Sequence, residues 1–127
     1  MPDFDLDAAL TPAWECHPVL PLKGVERGYR RIVIFQFKFC YHGVTVGGHS
    51  ITKGLPLGVT GGQVEQIAFA LANCYLNTLN GDRIAPPISP LYLLETLCMA
   101  FGGNGGVGLH QAEDDVIGRV LNLSPYA

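Results

Sequence analysis

From Arg30 to Val46 the chain alternates strictly between two sets of residues. Val33, Phe35, Phe37, Phe39 and Tyr41 fall on one side. Ile32, Ile34, Gln36, Lys38, Cys40, His42 and Val44 fall on the other. A period of two carried by β-branched and aromatic residues predicts a strand whose aromatic side is buried. Gly47-Gly48 then reads as the two-residue turn of a hairpin, because primed turns need positive φ at their centre. That register sets Val46 against His49, Val44 against Ile51 and His42 against Lys53.

After a connector punctuated by Pro56, Gly58, Gly61 and Gly62, the period changes to 3.6. Thr60 with Gln63 three residues later forms a capping box. Val64, Ile67, Ala68, Leu71, Cys74, Tyr75, Thr78 and Leu79 follow as one helical stripe. Phe69, Ala72 and Leu76 make a second apolar strip, Asn73, Asn77 and Asn80 a polar seam, and Asn80-Gly81 a stop. Ser89 as N-cap and Pro90 at the first position open another helix over Leu91 to Phe101, which Gly102 terminates. A glycine-rich connector runs from Gly102 to Gly108. From His110 to Leu123 a stripe of Val116, Ile117, Val120 and Leu121 favours a third helix over a strand, with Glu113, Asp114 and Asp115 suiting its first turn.

Residues 1–28 carry Pro12, Pro18, Pro21, Gly24 and Gly28, and predict an irregular N-terminal arm. The remaining residues, 29–127, predict a single α+β domain: an antiparallel hairpin or sheet packed on two or three apolar helices.

Composition sharpens this picture. Of 127 residues 48% are hydrophobic and only 15% charged, against about 25% charged in an average domain. Two helices apolar nearly all round are more than so small a domain hides. The surplus predicts a subunit or partner interface, with Trp14, Phe69, Leu76 and Tyr92 as candidate contacts. The net charge of −3 argues against nucleic-acid binding by phosphate neutralisation. The start is acidic (Asp3, Asp5, Asp7) and unlike a signal peptide, and Leu91–Phe101 is too short to span a bilayer. The expectation is therefore a cytoplasmic protein away from membranes, its four cysteines (Cys16, Cys40, Cys74, Cys98) free thiols.

Chemistry could reside in two places. Cys40 and His42 share a strand face and, with His49, could form a ligand, metal or nucleophile site. At about 3.3 Å per residue, however, the imidazoles of His42 and His49 stand about 13 Å apart in that register, too far for shared zinc ligands at about 2.1 Å. No metal or cofactor is therefore expected. Thr60-Gly61-Gly62 at a helix start could hold an anion on free backbone N–H groups, although the capping box already accounts for Thr60. Glu95 in an apolar helix is either paired or at the rim, and Arg27, Arg30 and Arg31 form a small basic cluster.

Three function classes follow. The first is a non-enzymatic protein–protein interaction protein, an oligomer that is an assembly component or inhibitor of a larger complex, by analogy the accessory type that phages and mobile elements carry. The second is an oligomeric small-ligand binder using Thr60–Gly62 and the hairpin. The third is a small enzyme built on Cys40, His42 or His49.

Overall fold

The computed structural model describes residues 14–81, 90–102 and 107–123. Their elements are β1 (Trp14–Pro18), β2 (Lys23–Arg27), β3 (Arg30–Tyr41), β4 (Val44–Pro56), α1 (Gly61–Gly81), α2 (Pro90–Ala100) and α3 (Val107–Leu123). The class is α+β, an antiparallel sheet with helices on one side of it. No helix among the described residues is long and apolar enough to cross a membrane.

β3 is the central strand. β4 pairs along one edge of it. β1 and β2 lie end to end along the other, β1 on residues 37–41 and β2 on residues 30–34. Residues 14–18 and 23–27 of the expected irregular arm are therefore strands. They add a broken edge to the sheet, interrupted by a connector with a cis Leu20-Pro21 bond. Three of the residues that suggested irregularity sit at its breaks: Pro18 ends β1, Pro21 lies in the connector, and Gly28 turns the chain into β3 with φ +62°. Gly24 lies inside β2, where a Cβ would stand 2.5 Å from the Ile32 carbonyl oxygen. Strand and partner approach there more closely than any side chain allows.

The hairpin turn is His42-Gly43, not Gly47-Gly48. Both central residues have positive φ (48° and 79°), as a type I′ turn requires. His is among the few non-glycine types enriched in that region. Val46 has no partner in the ladder, because Phe39 faces Gly47 and Cys40 faces Thr45; the glycine pair lies at this bulge. The corrected register sets Phe37 against His49, Phe35 against Ile51 and Val33 against Lys53. The earlier turn gives all twelve residues of β3 partners along β4.

Opposed residues share a face. The inner face carries Trp14 and Cys16 from β1, the aromatic row of β3, and His49, Ile51, Lys53 and Leu55 from β4. Phe35, Phe39, Ile67, Leu71 and Tyr75 pack there with no exposed surface. The capping box forms as read: the Thr60 N–H donates to Gln63 Oε1 (2.8 Å) and the Gln63 N–H to Thr60 Oγ1 (3.1 Å). Gly102 closes α2 at φ +72°, its N–H donating to the Met99 carbonyl. The third helix is a helix, and starts earlier than expected, at Val107. The expected cap at Ser89 lies outside the described residues.

Candidate functional site

The earlier helix start moves Glu113 out of the first turn of α3 and onto its buried side. It is 0% exposed, and Gln63 is the other polar or charged residue in the buried set. Three elements converge on it. From α1, Tyr75 donates its hydroxyl to Glu113 Oε2 at 2.5 Å. From β4, His49 Nε2 lies 3.4 Å from the same oxygen, and Lys53 Nζ lies 3.5 Å from Oε1. From the preceding turn of α3 itself, His110 Nδ1 stands 3.5 Å from Oε1. Oε1 makes no hydrogen bond and is held by charge alone. Lys53 also donates to Asp114 at 2.9 Å, which carries the cluster out to solvent.

Register explains this convergence. His49 and Lys53 alternate with the core residues Ile51 and Leu55 on the inner side of β4. Two basic side chains driven into an apolar interior need an acid. Tyr75 sits mid-stripe on α1 with its ring edge-on to Phe37 (5.1 Å) and His49 (5.3 Å), so its hydroxyl is aimed from a fixed ring.

The electrostatics follow from burial and partners. Desolvation alone would raise the Glu113 carboxyl, but hydrogen bonds from His49 and Tyr75 and the Lys53 charge outweigh it and hold the carboxyl below its ordinary 4.5. The Tyr75 phenol is pushed above its ordinary range by burial first and by the Glu113 charge second. Glu113 is therefore an anion, and Tyr75 a neutral donor, across the neutral range. Each group is spent on the others. The cluster ties α3 to α1 and the sheet, and presents neither a poised base nor an activated nucleophile.

The expected site residues do not come together. Cys40 is buried on the opposite side of the sheet from His49, its Sγ 3.8 Å from Thr45 Oγ1. His42 is in the turn, against the Tyr41 ring (4.6 Å). Thr60 is engaged in its cap, while Gly61 and Gly62 are exposed. Among the described residues no group of three or more His, Cys, Asp or Glu is placed to hold a metal ion. Trp14, expected at an interface, is 2% exposed because β1 turns it inward against Tyr41. Leu76 is half-buried against the core, Phe69 is 51% exposed, and the Tyr92 side chain lies outside the described residues. Glu95 is exposed. Arg30 and Arg31 donate to the carbonyls of Gly54 and Val59.

The strand side opposite the aromatic row, apolar at its start and polar later in the sequence, forms the outer face of the sheet. Val25 and Ile34 there are 63% and 37% exposed, and Ile32 is half-buried between Val25 and Gly54. Val19, its N–H donating to the Gln36 carbonyl, is 46% exposed beside them. Ile32 and Ile34 are the apolar start of that side, legible in the sequence. The chain was compared with protein-family models, curated proteins and solved structures, and no match was found in any of the three.

Proposed function

We propose that this is a non-enzymatic protein–protein interaction protein, acting in the cytoplasm as an assembly component or inhibitor of a larger complex. One observation carries the reading: the described helices pack on the inner face of the sheet, and the outer face exposes Val19, Val25 and Ile34 among its polar and charged residues. The ionisable cluster at Glu113 supports it from the other side, since its groups are used up in holding α3 down.

A groove between α1 and α3 of about 470 Å³, bordered by Asn73, Cys74, Asn77, Val116 and Arg119, favours a second reading as a small-ligand binder. Native mass spectrometry of the purified protein at several concentrations separates the two. The expected spectrum shows protein-sized mass increments only, from a second copy or a co-purified polypeptide. A retained small molecule would move the function to the groove, and a bare monomer at every concentration would contradict the contact reading.

A further inference from the structure

We infer that the outer face of the sheet docks an acidic polypeptide segment bearing apolar side chains, presented by a different protein. This rests on the interaction reading above and names its surface and partner chemistry. Three features converge on the face. Its apolar residues are contiguous: Val25 lies directly across from Ile32, and Ile34 is the next outward residue along β3. Beside them is a recess of about 390 Å³ bordered by Val19, Gln36, Phe37, Gly48, His49 and Ser50. Gly48 keeps that wall low, because a Cβ there would stand 3.0 Å from the Phe37 carbonyl oxygen.

Charge then selects the occupant. The chain as a whole carries −3, yet the described charged side chains on this face are Lys23, Arg30 and Lys38 against Glu15. Lys23 pairs across from Ile34, Lys38 lies across from Gly48, and Arg30 crosses Gly54, where a Cβ would meet its Nε at 2.9 Å. The cations thus border the apolar strip and the recess. A second copy would bring the same cations against them, which like-charge repulsion disfavours. Nucleic acid would find three cations set among apolar side chains, too few for backbone neutralisation and with no use for the strip. An acidic segment satisfies both: its carboxylates meet the lysines while its apolar residues cover Val25 and Ile34.

The test uses a labelled twelve-residue peptide alternating Asp with Leu and Phe, read by fluorescence anisotropy on the full chain. Saturable binding is expected, weakened roughly tenfold or more by Lys23→Glu with Lys38→Glu and weakened further by salt. Val25→Asp should weaken it similarly, and Phe69→Asp on α1 should leave it unchanged. The control peptide alternates Lys with Leu and Phe and should not bind. No binding, equal binding of the control, or binding indifferent to the outer-face variants would overturn the assignment. So would carbodiimide cross-linking of Lys23 or Lys38 to the chain's own Asp3, Asp5 or Asp7 in the absence of peptide, which would make the occupant internal. If the peptide fails while native spectra still show a protein partner lost with Phe69→Asp, the contact reading stands and only this surface is wrong.

Discussion

Replacing Glu113 with alanine is expected to cost about 3–5 kcal/mol, a large part of the roughly 5–15 kcal/mol that holds a domain of this size together. The cost comes from what is left behind. His49 and Lys53 have side chains only 7% and 11% exposed, and both face this carboxylate. Without it, Lys53 keeps only the exposed Asp114, the buried His49 imidazole loses its partner, and the Tyr75 hydroxyl loses its acceptor. Glu113→Gln should cost less, because the amide oxygen can still accept from Tyr75. Urea unfolding at pH 7 followed by circular dichroism measures both. Acid titration adds a signature. A carboxyl held below its ordinary value stabilises the fold above that value and loses its contribution as pH falls through its folded pKa. The wild type should therefore weaken below about pH 4.5, and Glu113→Gln should lack this step. A loss under about 1 kcal/mol for Glu113→Ala would mean that the cluster is not the clamp on α3 described above.

The alkaline side should show a comparable effect from a different group. Burial, with a smaller push from Cys40, raises the Cys16 thiol from 9.0 to about 12. The folded chain then keeps its proton where the unfolded chain gives it up. Stability is intact below about pH 9 and falls as pH rises from there towards 12, by about 1.4 kcal/mol per pH unit and on the order of 4 kcal/mol in all. The raised Tyr75 phenol adds to the loss above its ordinary 10.0. Thermal unfolding between pH 7 and 11 under reducing conditions should show this decline, shallower in Cys16→Ala. Stability that stays flat to pH 10.5 would show that Cys16 is not sealed on the inner side of β1.

The helices and the buried side of β3 were legible because each announces itself within a few residues. Thr60 and Gln63 cap α1 locally, Gly102 ends α2, and the row from Val33 to Tyr41 needs only its own alternation. The turn was not legible in the same way. Gly47-Gly48 is the stronger local signal, and only pairing along all of β3 favours His42-Gly43. That single misplacement hid the Glu113 cluster. Once the turn is at residues 42–43, His49, Ile51, Lys53 and Leu55 together face the aromatic, buried side of β3, and two inward basic groups call for a buried acid. Glu95, read as paired or at the rim, is exposed, and Glu113, flanked by Asp114 and Asp115 and read as part of a first helical turn, takes the buried position. β1 and β2 were missed because their strand character comes from β3, which supplies every partner they have in the sheet.

The most direct measurement is made on Val25→Asp combined with Ile34→Asp: sedimentation velocity for association, and thermal unfolding for the fold. Both side chains are exposed on the outer face, so the melting temperature should stay within a few degrees of the wild type, as for substitutions outside the core. The wild-type complex with a co-purified polypeptide should be lost. An association unchanged by the two aspartates, or a fold that collapses with them, would contradict a working surface on the outer side of the sheet.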